Sequence, residues 1–578
     1  LNIEEGVKIQ FRDAGHILGS ASVSMEIKAD NGKTVKFGFT GDIGRPERPI
    51  LNDPVPMPDV DYLICESTYG NRVHEDEVAQ ISDLQHIVKD TCLINEGKLL
   101  IPAFSLGRTQ EIVYMLDQLE NVGKLPPVPI YVDSPLALSA TEIYRMHPEC
   151  YDEELYNYMS NDPNPFGFSR LHYIREDGLA DNLLGATEIR VENGNITAIA
   201  ATVDHSNAQI IELKGHTVTP GFIDCHVHIT FCEGDPTIPE NPYMVTVPLM
   251  TLYSLNPLKI LLMNGFTTVR EVGCPDPEFI TVDLKKAIAK GWIIGPDLLV
   301  APHLISAQGG HGDFTSLVAF QFRPEKFEVA DGTAEIIRIV REEIRSGADW
   351  IKFCATGGFS SPTDDPSQTT YSQEEMNILV STAKDFGISA CPHAYGGEGV
   401  QRAVNAGVRS IEHGNLASSE TLQLMEQKGV YLVPTQYTVL EKARNANNPE
   451  YWQNRSSWQH AKYQKYASQL IACADNLAKS NVKIAFGTDA GTFPHIDNWK
   501  EFPAMVQNGI TPLRALKAAT TVAAELLMQP NIGALAVGKF ADIIAMPGNP
   551  FEDINVTGKV DFVMKRGVIY KQPSGGQV

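Results

Sequence analysis

A parallel (β/α)8 barrel is the fold predicted for residues 221–535, and three observations predict it. Eight short apolar runs recur across about 270 residues, the span such a barrel needs. The stretches between them are long enough to carry helices that return the chain to the start of the next strand. At the ends of several runs stand His, Lys or Asp, and barrel active sites collect at the C-terminal ends of the strands.

In chain order the runs are "GFIDCHVH", "FTTVREVG", "DLLVAP", "DWIKFCATGG", "ISACPHAYG", "RSIEHGN", "VYLVPTQY" and "KIAFGTDAG". Before the first lie "ATEIRVENGNITAIAA", with an Asn-Gly hairpin turn, and "AQIIELKGHTVTPG". After the last helix come "GALAVGKFADIIAMPG" and "KVDFVMKRGVIY". These short strands, residues 177–220 and 536–578, are expected to form one small β-sandwich. Residues 1–176 read as a different α/β module, in which "VSMEIKA" and "TVKFGFTGD" precede "YLICESTYGNR", "LLIPAFSLGRTQEIVYMLDQL" and "PIYVDSPLALSATEIY". The change falls near 173–180 with no Gly/Ser/Pro linker.

A length of 578 residues exceeds one ordinary core, and 43% hydrophobic with 20% charged residues describes a soluble globular protein. The apolar runs are too short for a membrane span. "LNIEEGVKIQ" has no apolar signal core, so a cytoplasmic protein without membrane association is expected. Nine Cys without a CxxC pair suit reduced thiols rather than a disulfide framework. The formal charge of −24 divides into −13 for residues 1–176 and −11 for the rest. Neither part has the basic surplus of a nucleic-acid binder, and no nucleic-acid partner is expected.

His226 and His228 share one face of a strand, because side chains alternate with a period of two. Read alone they are better explained as core histidines. Lys352 at the fourth strand, His393 at the fifth, His413 at the sixth and Asp489 at the eighth fall at the same level, and together the six form a candidate metal site. The set resembles the amidohydrolase superfamily, whose binuclear members use HxH, a carboxylated Lys, two further His and an Asp. "IKFCATGGFSSP", "PHAYGGEGVQRAVNAGVRSIEHG" and "FGTDAGTFPH" resemble its imidazolonepropionase-related branch, which contains Xaa-Pro dipeptidases. The resemblance covers roughly residues 178–578.

That resemblance implies two divalent cations, Zn²⁺ by ligand type with Mn²⁺ or Co²⁺ as alternatives, bound by His226, His228, Lys352, His393, His413 and Asp489. Lysine ammonium cannot ligate a cation, so Lys352 is expected as a carbamate formed with CO2. Two cations lower the pKa of a shared water, giving hydroxide near neutral pH. Asp489 is expected to take its proton and pass it to the leaving nitrogen. Tyr395, two residues after His393, is a candidate to polarise the scissile carbonyl, and His311, in "SAQGGHGDF", to contact the carbonyl or a carboxylate. His303 and His495 are weighed evenly between structural and functional roles. Arg270 and Glu271 are expected to pair at the barrel mouth, and Cys225, just before His226, to be core.

In the first module "DAGHILGSASV", "FTGDIG", "ESTYGNR" and "PAFSLGRTQE" resemble metallo-β-lactamase-fold RNA-processing enzymes with a β-CASP insertion, over roughly residues 5–174. His16 and Asp42 match two of that family's metal ligands and Glu66 its acidic residue. The HxHxDH motif expected upstream of His16 and the later histidine motifs are not in this chain, so the module is expected to be an incomplete fragment. The leading expectation is a metal-dependent hydrolase of C–N bonds, acting on a dipeptide or N-acyl amino acid as a homo-oligomer. A cyclic amidohydrolase of the imidazolonepropionase type is the alternative within the superfamily. An RNA-processing nuclease and a non-catalytic scaffold are the alternatives outside it.

Overall fold

A computed structural model describes the chain except residues 1, 5, 30, 47, 69–80, 96, 161, 163, 169, 175–184, 186, 234–244, 314–327, 454 and 574–578. The chain divides into two compact units, Leu1–Leu184 and Gly185–Val578. The seam expected at 176/177 falls outside the described residues.

In the first unit β1 (Asn2–Glu4), β2 (Val7–Asp13), β3 (Ala21–Lys28), β4 (Thr34–Phe39) and β5 (Tyr62–Ile64) form one sheet in that order. β1 to β4 pair antiparallel, and β5 lies parallel to β4. A second, parallel pair joins β6 (Ile130–Asp133) to β7 (Leu171–Ile174). The expected strand in "LLIPAF" does not form: Pro102 interrupts the run, and Leu100 and Phe104 are exposed. Helix Arg108–Asn121 follows it and buries Val113 and Tyr114 against Tyr144, Tyr151, Leu155 and Phe166.

The second unit opens with the hairpin β8 (Glu188–Glu192) and β9 (Asn195–Ala200). Asn193 and Gly194 both have positive φ, 50° and 80°, as a two-residue type I′ turn requires. β10 (His216–Pro220) forms a separate sheet with three strands from the far end of the chain, and the hairpin's Ile196 packs into the core of that sheet.

Between them run the strands expected of the barrel. β11 (Phe222–Val227), β12 (Phe266–Val272) and β13 (Asp297–Ala301) pair parallel. So do β14 (Leu304–Ile305), β15 (Trp350–Cys354), β16 (Ser389–Gly396), β17 (Ser410–Leu416) and β18 (Tyr431–Val433). The third expected run is β13, and β14 follows it as a separate short strand paired with β15. Pro302 has no N–H to give, and the His303 N–H turns to Glu343 instead. The eighth run forms no continuous strand. Ile484 bridges to Leu432 of β18 and Ala490 to Val227 of β11, both parallel, so the eighth run links the two sets of strands. The sheet of β10 is completed by β19 (Ile543–Pro547), β20 (Phe562–Lys565) and β21 (Val568–Lys571).

Helices follow most strands, and glycines close some of them before the next strand. Helices Gly397–Ala406 and Ser419–Lys428 end at Gly407 and Gly429, whose φ of 89° and 66° close the helix cheaply only without a Cβ. Phe222 and Phe266, at the first positions of β11 and β12, pack with Phe486 and Phe502 in an aromatic cluster with centroid distances of 4.4–5.6 Å. Replacing any one by Ala would cost roughly 3–5 kcal/mol. Among the described residues no helix is long and apolar enough to cross a membrane.

Asp117, buried on helix Arg108–Asn121, generates a testable consequence. Its Oδ1 has no hydrogen-bond partner, and burial, aided by the nearby Asp162 and Glu120, pushes its pKa up from 3.8 to about 7. The folded chain thus keeps a proton that the unfolded chain has lost. The stabilisation is complete below about pH 4 and lost as pH rises through 7, on the order of 4 kcal/mol in total. Hydrogen-exchange protection of this helix in the full chain is expected to fall between pH 4 and 7. Asp117→Asn is expected to flatten that slope.

Candidate metal centre

The strands deliver the six predicted residues to one region. His226 is the penultimate residue of β11, and His228 lies one residue past its end. Lys352 is central in β15, His393 and Tyr395 lie late in β16, and His413 is in β17. Asp489 follows the broken eighth run, where its N–H and that of Thr488 both reach the carbonyl of His226. Ligand atoms of His226, His413 and Asp489 lie within 4.8 Å of one another. Asp489 Oδ1 is 3.4 Å from His226 Nε2 and 3.3 Å from His228 Nε2. His393 packs edge-on against His413 at 4.6 Å between ring centroids.

Each imidazole is oriented by its other nitrogen. His226 Nδ1 lies 2.8 Å from Glu412, His228 Nδ1 lies 2.9 Å from the Gly273 carbonyl, and His413 Nδ1 lies 2.8 Å from Thr435 Oγ1. With Nδ1 so engaged, Nε2 is the nitrogen left able to coordinate a metal in all three. His393 is turned the other way, its Nε2 lying 3.3 Å from the Gly357 carbonyl. The rings of His311 and His393 stack at 4.2 Å, and those of Tyr395 and His413 at 4.8 Å.

Burial and mutual charge set the protonation states. Burial, then the neighbouring cations, push His393 and His413 well below the usual histidine range, and burial with Lys352 lowers His226. Burial opposes it, but Asp489 and Glu271 still raise His228 to about 9. Asp489 is held well below the carboxylate range, against burial, by His226 and His228. Burial raises the Tyr395 phenol well above 10, so it remains a donor. The Lys352 amine is 2% exposed, has no hydrogen-bond partner, and is lowered by burial. An orphaned amine of this kind, beside three imidazoles that feel its charge, fits a modified lysine better than a free ammonium.

Some expectations require correction. Arg270 does not pair with Glu271. Adjacent residues of β12 face opposite ways, so Arg270 turns to Glu412 at 2.7 Å and to the Cys225 carbonyl, over the Trp350 ring. Glu271 instead accepts the Ile229 N–H and lies 3.6 Å from His228. His303 sits with Glu343 and Glu328 in a separate group, 2.7 Å from Glu343, and His495 holds the His228 carbonyl through Nε2 at 2.8 Å. Cys225 is fully buried among Val272, Trp350 and Cys391. Sequence reasoning missed Glu412 and Thr435. Glu412 stands next to His413 in "IEHGN", a buried strand position where an acid needs a cationic partner.

Residues 217–570 match the Amidohydrolase family. The chain belongs to that family. It is therefore a hydrolase acting on carbon–nitrogen bonds, and the family's divalent metals agree with the donor set above. Ochratoxinase of Aspergillus niger is 33% identical over 385 residues, 62% of this chain and 76% of that protein. A crystal structure of a Xaa-Pro dipeptidase with methionine in its active site is 35% identical, with a TM-score of 0.61, over 66% of this chain and 94% of that one. A prolidase complexed with N-methylphosphonate-L-proline is 33% identical, with a TM-score of 0.59, over 69% and 97%. A second family match, to the Beta-Casp domain, covers residues 109–225 and runs past the expected limit of that resemblance. The RNase J-like protein of Methanocaldococcus jannaschii is 38% identical over 167 residues, 28% of this chain and 38% of that protein. Glu66, matched in the first unit to that family's acidic residue, is engaged by the Ile43 N–H and the Thr68 hydroxyl. Among the described residues, the groups able to hold a metal ion lie in the second unit.

The buried Arg270–Glu412 pair is directly testable. Glu412→Gln leaves a guanidinium in the core with its charge unopposed and is expected to cost about 3–5 kcal/mol in urea unfolding. Arg270→Met in the same chain should recover much of that loss, because the unpaired charge is gone.

Proposed function

We propose that this amidohydrolase binds two divalent cations through His226, His228, His393, His413, Asp489 and a carboxylated Lys352, and hydrolyses Xaa-Pro dipeptides or N-acyl amino acids. The observation that carries the reading is the convergence of His226, His413 and Asp489 beside a buried lysine amine with no partner. When bound, the cations would supply Lewis acidity and a water of lowered pKa.

The remaining work falls to the chain's own groups. Hydrolysis puts the water oxygen on the carbonyl carbon, and the C–N electron pair leaves with nitrogen, which takes up a proton. We assign Asp489, kept ionised by His226 and His228, to hold that proton in transit. Tyr395, kept as a phenol by burial, is assigned to donate to the carbonyl oxygen. His311 is assigned to the carbonyl or to the substrate carboxylate. An Xaa-Pro amide nitrogen has no hydrogen to recognise, so selection must use the carbonyl and the terminal carboxylate. The bound ligands of two structural relatives, methionine and a proline phosphonate, both carry a free carboxylate.

Metal analysis of purified protein is expected to give about two equivalents per chain. Lys352→Ala should lose the second equivalent, and an added short carboxylic acid should restore part of the activity. Wild-type activity in Lys352→Ala without additive would refute the carbamate.

Substrate choice is read by comparing one Xaa-Pro dipeptide with its C-terminal amide. Loss of a charge-assisted contact costs roughly 1.5–3 kcal/mol, or about ten- to a hundredfold in kcat/KM. Equal cleavage of the two, or cleavage of a cyclic imidazolone and no dipeptide, would overturn the dipeptidase reading.

A further inference from the structure

Among the described residues three lysines are buried: Lys352, Lys442 and Lys565. Lys352 belongs to the candidate metal centre, and Lys565 Nζ bonds the Gly295 carbonyl at 2.7 Å and Asp297 at 3.1 Å. Lys442 is 5% exposed and makes no hydrogen bond among the described residues. The acid beside it, Glu233, lies 3.9 Å away, beyond hydrogen-bond reach. A lysine is seldom buried unless acceptors offset the water it has lost, so Lys442 calls for an explanation.

Its position supplies one. Helix Gln436–Arg444 starts directly after Thr435, whose hydroxyl holds His413. Lys442 comes seven residues after Thr435, on the same face of the helix and about 10 Å along its axis. Long helical side chains lean toward the N-terminus, back in the direction of Thr435. Val439, between the two on that face, packs in one cluster with Tyr395 and Tyr463. Glu233 lies on the same side, since its N–H bonds the Gly491 carbonyl two residues past Asp489. Tyr463, on helix Ser457–Lys479, stacks on Phe359 at 4.3 Å, and Phe359 meets Tyr395 edge-on at 4.9 Å. The Tyr463 phenol makes no hydrogen bond among the described residues, and it feels the charges of both Asp489 and Glu233.

The charges decide what this end of the site can receive. The Glu233 side chain is 48% exposed and screened by water, whereas the Lys442 ammonium is buried and acts almost unscreened. The local field is therefore positive, and the phenol adds a second donor. A carboxylate fits such a place and an ammonium does not. We infer that Lys442, with Tyr463 beside it, receives the free C-terminal carboxylate of the substrate and sets the preference for it. His311 is then left to the carbonyl oxygen. The inference rests on the proposed amide hydrolysis, and its test separates the two.

The probe is N-methylphosphonate-L-proline, compared with its carboxamide by calorimetry on the full-length, metal-loaded protein. Wild type is expected to bind the acid about ten- to a hundredfold more tightly than the amide. Lys442→Met, similar in length and uncharged, should bind the two alike at unchanged metal content. Tyr463→Phe should lose part of the preference, and Glu233→Gln, which removes the competing acid, should keep it. In turnover, Lys442→Met should raise KM for an Xaa-Pro dipeptide about ten- to a hundredfold with kcat little changed. Cleavage of the dipeptide's C-terminal amide should stay as in wild type. Absence of any preference in wild type, the same preference in Lys442→Met, or an equal loss for acid and amide would overturn the inference. A preference that depends on Lys442, found without any dipeptide cleavage, would retain it and remove only the proposed substrate.

Discussion

The carboxylate of Glu412 is fully buried and binds three groups at once: Arg270 at 2.7 Å, the Ser410 hydroxyl at 2.6 Å and His226 Nδ1 at 2.8 Å. None of the two charged side chains is exposed, and Arg270 spends its remaining donors on the Cys225 carbonyl and Ser410 while lying over Trp350. An ion pair of this depth contributes little net stability, but it is costly to break, so it fixes where its partners stand. One end of the network holds β11, β12 and β17 together. The other end aims an imidazole at Asp489.

From that anchor the site is built outward by second contacts rather than by the ligands themselves. Thr435, His495 and the Gly273 and Gly357 carbonyls each hold one histidine. Asp224 does the same for the backbone, accepting the His226 N–H, the Thr488 N–H and the Thr488 hydroxyl. Each partner comes from a different strand or loop. The imidazoles are therefore held by the chain's own hydrogen bonds, and the entropy of ordering them belongs to folding.

What sequence could reveal follows the range of the interactions concerned. Most of the runs and the His, Lys and Asp they carry were legible because strand periodicity is local and barrel sites favour one end of the strands. The partners of those residues were not. His226 and Glu412 are 186 positions apart, and nothing near either one names the other. Arg270 and Glu271 seemed a pair because they are adjacent in sequence, although alternation sends adjacent strand residues apart. "KIAFGTDAG" read as a strand, but its end turns inward at Asp489 and leaves isolated bridges. In the first unit "LLIPAF" had the apolarity of a strand without the pairing, and apolarity alone does not supply a neighbour.

His413 and Asp489 share a further property, a left-handed backbone with φ of 73° and 63°. For an L-residue that conformation costs roughly 1–2 kcal/mol, and glycine escapes the cost. Selection for heat survival alone would therefore favour glycine at both positions, and each such gain would delete a donor atom from the site. Thermal fitness and chemistry pull in opposite directions at these two residues, so stabilising changes in this scaffold have to be sought elsewhere.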